Sequence, residues 1–222
     1  AGSAITTGGG HTLVGHEAGK AITTGTFNTF FGFEAGVNFD AEAHNLGIGA
    51  SALGGAIAGG EYNVAIGNYA LDALTSADTN TAIGYNAGSE TTTGGENTFI
   101  GYQAGRDNTT ATGNVAIGAQ SMFQGTTTGS ANVAIGNNTL EDLTSGTRNI
   151  AIGYGASQAY DTENDNLAIG SNALSGAVAG GEYNVAIGNY ALDALTSGDN
   201  NVAIGYNAGT AQTTAGANVL IG

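Results

Sequence analysis

The sequence predicts an all-β fold: a parallel β-solenoid (β-roll) of about thirteen coils, each 17–18 residues long. Three observations carry this reading. A pentad of the form Asn-Val-Ala-Ile-Gly recurs in phase along all 222 residues. Gly supplies 40 positions and Pro none. The Val-Ala-Ile segments are β-branched and bounded by Asn and Gly, which marks a short strand between turns.

The pentad sets the period. Its last residue falls at Gly15, Gly32, Gly49, Gly67, Gly84, Gly101, Gly118, Gly136, Gly153, Gly170, Gly188, Gly205 and Gly222, at intervals of 17 or 18. A fixed internal period outranks every other sequence signal, and helical hairpin repeats need about 33 residues or more. Seventeen residues suit one turn of a small solenoid. Gly permits the positive φ of tight corners, and successive coils stack about 4.8 Å apart. Three residues after the Gly stands a small side chain, Ala in most coils and Ser121 or Thr139 in two. Thr-Thr-Gly or Thr-Ser-Gly turns follow, as at Thr92-Thr93-Gly94 and Thr144-Ser145-Gly146.

A longer repeat lies above the coil. Residues 58–76 recur identically at 179–197, an offset of 121 residues or seven coils. The wider match pairs 45–88 with 166–209. Residues 1–222 therefore read as a single repetitive domain in which blocks of several coils have been multiplied.

Composition excludes several classes. Charged residues are 9% of the chain, against about 25% in an ordinary globular domain. The net charge is −15 with only 3 basic residues, which leaves no electrostatic footprint for nucleic acid or anionic lipid. Cys is absent, so disulfides, zinc–thiolate sites and thiol catalysis are excluded. No apolar run approaches the 18 or so residues of a membrane-spanning helix, and no signal peptide is visible.

Two columns inside the pentad invite assignment. The first is Asn28, Asn45, Asn63, Asn80, Asn97, Asn114, Asn132, Asn149, Asn166, Asn184, Asn201 and Asn218, interrupted only by His11. Stacked identical amides hydrogen-bond from coil to coil, so this column is expected to be a structural ladder. The second is the residue before the Gly: Val14, Phe31, and Ile in every other coil. That strictness points to the coil interior. The residue two before the Gly then faces outward by strand alternation. It is apolar but variable, as at Leu13, Phe30, Ala65, Phe99 and Leu220. A strand apolar on both faces is covered on both, so a neighbouring chain is expected, most simply in a three-fold bundle.

The pattern N-V-A-I-G-x-x-A resembles the S-V-A-I-G-x-x-A head repeats of trimeric autotransporter adhesins. It is also similar to the N-T-A-I-G-Y-N-A-L repeats of bacterial and phage trimeric fibre proteins, matched here by Asn80-Thr81-Ala82-Ile83-Gly84-Tyr85-Asn86-Ala87. The resemblance covers the whole chain. It implies a trimeric, extracellular, cell-surface or virion fibre without enzymatic activity. The longer coil, with its added Leu-Thr-Thr-Gly segment, departs from the adhesin heads.

Candidate sites are few. Asp40, Glu42 and His44 alternate along one segment, and Asp161, Glu163 and Asp165 repeat them one block later. Alternation would gather these side chains on one face, as a Ca²⁺ site of carboxylate oxygens requires, although no known calcium-loop signature accompanies them. Asp72, Asp193, Glu141 and Asp142 read as turn residues. His11 and His16 have no partner at triad spacing. Tyr69, Tyr85, Tyr102, Tyr154, Tyr190 and Tyr206 follow the strand Gly and either cover the coil corner or line a glycan-facing groove. The Thr columns are broken by Asp40, Ala41, Asp161 and Val178, which counts against an ice-binding surface.

The function expected from these readings is a structural fibre shaft or head, acting as adhesin or rigid spacer. Its partners would be copies of itself and a surface glycan or protein receptor, and no cofactor beyond Ca²⁺ is expected. Loops 54–62 and 175–183 are the expected contact sites. The alternative is a filament subunit stacking end to end. A glycan-processing solenoid would need a convergent carboxylate pair in a groove.

Overall fold

A computed structural model describes residues 1–55, 59–176 and 180–222. The architecture is all-β, a parallel solenoid of about twelve turns of roughly 17 residues. The described residues include no helix. They form two compact units, Ala1–Thr112 and Gly113–Gly222.

The first unit holds β1 (Thr12–Val14), β2 (Thr29–Phe31), β3 (Leu46–Ile48), β4 (Val64–Ile66), β5 (Thr81–Ile83) and β6 (Thr98–Ile100). Each strand pairs in parallel with its sequence neighbour at identical register, so Val64 faces Thr81 and Ile66 faces Ile83. The second unit holds β7 (Val115–Ile117), β8 (Val133–Ile135), β9 (Ile150–Ile152), β10 (Leu167–Ile169), β11 (Val185–Ile187), β12 (Val202–Ile204) and β13 (Val219–Ile221), paired in the same way.

The pentad Gly is required by space. Gly15, Gly32, Gly67 and Gly84 all have φ between 131° and 149°. A Cβ on Gly67 would overlap the carbonyl of Gly84 in the next coil. Three further columns carry positive φ with ordinary side chains, as at Tyr62, Tyr69 and Leu71 in one coil. These corners sit in the left-handed region that L-residues avoid at a cost, and the stacked coils hold them there.

The two strand faces are the reverse of the sequence expectation. The residue two before the Gly points inward: Phe30, Ala65, Ala82, Phe99, Ala116, Ala134, Ala151, Ala168, Ala186 and Ala203 are all fully buried. The residue before the Gly points outward, with Phe31 55% and Ile204 40% exposed. The Asn column explains the direction. Asn and the middle strand residue share a side by alternation, and the Asn amides are buried. The strict Ile column is therefore the outer face, and the variable column lines the core.

The core varies because two columns share its volume. In five of the eight coils whose inner strand residue is Ala, the residue four after the Gly is a buried Leu or Met, as in Ala65 with Leu71, Ala116 with Met122 and Ala186 with Leu192; Ala82, Ala151 and Ala203 are followed instead by Gly88, Ser157 and Gly209. Where it is Phe30 or Phe99, that position is Gly36 or Gly105. Ile22, Phe39, Leu74, Leu143, Tyr160 and Leu195 complete the core from the far side of the coil.

Candidate functional site

The Asn column is the polar spine of each unit. In the first, the backbone N–H of Asn80 donates to Asn63 Oδ1 at 3.0 Å, and that of Asn97 to Asn80 Oδ1 at 3.0 Å. Each amide nitrogen donates twice. Asn80 Nδ2 reaches Asn63 Oδ1 at 3.2 Å and the carbonyl of Gly94, across the coil, at 3.0 Å. One side chain thus links its coil to the previous one and closes its own cross-section. Asn28, Asn45, Asn63 and Asn97 repeat the pattern. So do Asn132, Asn149, Asn166, Asn184 and Asn201 in the second unit, where Asn114 accepts from the Asn132 N–H and donates to Gly129 O. Asn218 continues it with 3.1 and 3.0 Å bonds to Asn201 Oδ1. His11 substitutes chemically as well as positionally: its Nδ1 accepts the N–H of Asn28 at 3.2 Å.

The acidic segments do not present one face. Residues 40–44 are not a strand, so alternation fails: Asp40 and His44 are exposed while Glu42 is buried. Glu42 uses its oxygens on backbone, Oε2 accepting from Asp40 N at 2.7 Å and Oε1 from Gly59 N at 3.0 Å. Glu163 does the same with Asp161 N, Thr162 N and Gly180 N at 2.8–3.1 Å. Asp165 is taken by Arg148 through 2.6 and 2.7 Å bonds, which hold its carboxyl below the usual range. His44 is stacked between Phe27 and Tyr62, with ring centres 5.3 and 5.0 Å away. Among the described residues no three His, Asp or Glu side chains converge as a metal site.

The Thr columns are axial hydrogen-bond rows. Thr75 Oγ1 donates to Thr92 O at 2.9 Å, Thr92 Oγ1 to Thr109 O at 3.1 Å, and Thr196 Oγ1 to Thr213 O at 2.7 Å. Asp40 and Asp161 continue the rows by accepting from the Thr23 and Thr144 hydroxyls. Val178, the further break in these columns, lies outside the described residues, as do 56–58 and 177–179 of the two expected contact loops.

The Tyr side chains lie on the surface, between 38% exposed at Tyr190 and 67% at Tyr206. Tyr85 and Tyr102 stack on each other at 5.7 Å with an 11° interplanar angle. Tyr69 meets Tyr85 edge to face at 6.0 Å and 84°. Five of the six rings, all but Tyr154, thus contact another Tyr ring. Tyr69 and Tyr85 also wall a groove of about 320 Å³ with Asp72, Asn86, Ser89 and Glu90, which sequence reading missed because these residues come from two adjacent coils.

The second outward feature is the strand face. In the second unit both outward columns are apolar at every strand: Val115, Val133, Ile150, Leu167, Val185, Val202 and Val219 in one, Ile in all seven in the other. The first unit mixes Thr12, Thr29, Thr81 and Thr98 into its first column.

Fold and sites together define a parallel β-solenoid repeat protein. Compared with protein families, curated proteins and solved structures, the chain matches none of them.

Proposed function

We propose that the chain is a structural fibre segment whose units associate side by side with copies of themselves, three to a fibre, as an extracellular adhesin head or rigid spacer. The observation that carries this is the outward Val/Ile face. Apolar surface of that regularity gains free energy on burial, about 25 cal/mol per Å², and large contiguous apolar patches mark association surfaces. A face whose ridges repeat once per coil is matched in pitch along its whole length by another copy of the same repeat. The resemblance to trimeric adhesin heads and phage fibres supports the number three. A structural rather than catalytic role is supported by how the conspicuous polar side chains are used. The Asn amides, Glu42, Glu163 and many Thr hydroxyls all bond the solenoid to itself.

Sedimentation equilibrium over a concentration series tests this. A mass of three chains, independent of concentration, is expected. Ile135→Lys with Ile169→Lys should yield monomers that keep the far-ultraviolet signature of the fold. A wild-type chain that stays monomeric at every concentration refutes the reading.

A further inference from the structure

We infer that the groove between Tyr69 and Tyr85 is a binding site for a small organic cation, a ligand carrying a primary or substituted ammonium group. Its walls are two Tyr rings at right angles, 84° and 6.0 Å apart. Its floor and rim are Asp72, Asn86, Ser89 and Glu90. About 320 Å³ is too large for a bare metal ion and lies in the range of small-molecule sites. Only two carboxylates line it, too few for a calcium cage. Aromatic faces beside carboxylates suit an ammonium group, which gains from the ring quadrupole and from charge pairing together.

The local electrostatics point the same way. Burial lifts the Asp72 carboxyl to about 6, against the pull of a backbone hydrogen bond, and the charge of Glu90 adds to it. A bound cation offsets the Glu90 charge and favours the ionised form of Asp72. Arg106, in the next coil, is the basic residue that feels Glu90, and Asp107 holds it by bonds of 2.5 and 2.7 Å. The groove and its border thus set three carboxylates against one guanidinium.

The block duplication supplies an internal control. Tyr190 and Tyr206 meet at 6.2 Å and 88°, the same geometry one block later. Asp193 and Asn207 reproduce Asp72 and Asn86, but Thr210 replaces Ser89 and Ala211 replaces Glu90. The aromatic corner is copied and the second acid is not. One cation site per chain is therefore expected, and Ala is tolerated at the Glu90 position.

The test uses the full chain with cyclohexylamine, its neutral twin cyclohexanol, and cellotetraose, by calorimetry and by amide NMR shifts at Asn86 and Ser89. Saturable cyclohexylamine binding with one site per chain is expected, weakened at least tenfold by Glu90→Ala and by Asp72→Asn. Ala211→Glu should raise the count to two sites. Cyclohexanol should bind at least tenfold more weakly than the amine. No saturable amine binding, equal binding of the alcohol, or insensitivity to Glu90→Ala each overturns the proposal. Cellotetraose binding in place of amine binding overturns it in favour of a neutral glycan.

Discussion

The ring of Phe99 fills the space that a side chain on Gly105 would need: a Cβ built there would overlap the ring. Gly88 in the previous coil yields to the same ring, its would-be Cβ lying 2.7 Å from Phe99 Cδ2. Leu220 and Gly209 repeat the relationship at 2.7 Å. The inner strand residue and the residue four after the Gly thus compete for the same space, within a coil and between neighbouring coils. Phe99→Ala alone should cost about 3–5 kcal/mol through the cavity it leaves. Gly105→Leu alone should cost at least as much as an overpacked core, about 1–3 kcal/mol, plus the strain of a side chain at φ 59°. The two together copy the Ala65–Leu71 coil and should recover most of the loss. Urea unfolding of the four species should give a coupling energy above about 1 kcal/mol; simple additivity refutes shared volume.

Asn80 shows what the amide spine contributes. Its Oδ1 accepts two bonds from Asn97, at 3.0 and 3.1 Å, and its Nδ2 donates to Gly94 O. Asn80→Leu leaves those buried partners unsatisfied, at about 1–3 kcal/mol for each group. Thermal unfolding should therefore fall by several degrees or more. Hydrogen exchange should quicken first at Asn97 N, the donor that loses its acceptor, and an unchanged rate there would show that the bond is not formed.

The period, the strand segments, the Gly corners and the Asn ladder were all legible in the sequence, because each demands one residue type in nearly every coil. Gly67 has no room for a Cβ and Asn80 needs both an acceptor and two donors, so neither column tolerates drift. The side each strand residue faces was misread for the same reason. Invariance does not mean burial here: Ala65 and Phe99 are interior because they share a side with the buried Asn column, and they can differ in size because Leu71 and Gly105 compensate them. Asp40 and Glu42 do not share a face, because the backbone turns at 40–44 and strand alternation does not apply there. The Tyr69–Glu90 groove joins residues 21 positions apart, which a single-coil consensus cannot display.

Glu42 and Glu163 stand outside the consensus but play equivalent parts, each bridging two coils through backbone N–H groups 17 residues apart from the carboxylate. Glu42→Gln turns one acceptor into a donor facing Asp40 N or Gly59 N. It should lower stability by about 1–3 kcal/mol. Glu42→Asp, too short to span both bonds, should lose a similar amount. Added Ca²⁺ should leave the melting temperature within about 1 °C, far from the several kcal/mol that a ligand in large excess over its Kd confers. A larger calcium shift that disappears in Glu42→Gln would show that the carboxylate serves a metal after all.

Asp72 makes a pH prediction with a definite sign. Burial, with Glu90 adding to it, holds its carboxyl at about 6 in the folded chain, against an ordinary 3.8. The folded state therefore binds this proton more tightly than the unfolded chain does. Below pH 3.8 both states are protonated and burial of the group costs little. As pH rises from about 4 to about 6 the unfolded chain releases its proton first, so the Asp72 contribution makes stability fall across that window and level off above it. A displacement of about two pH units corresponds to about 3 kcal/mol without screening, and solvent screening at a half-buried side chain reduces the expected loss to about 1 kcal/mol. Asp72→Asn should be more stable than the wild type at pH 7 by that amount and indistinguishable from it near pH 3.5. Glu90→Ala should recover part of the difference. Urea midpoints of the three proteins at half-unit pH steps read this directly, and a difference that grows on acidification would reverse the assignment.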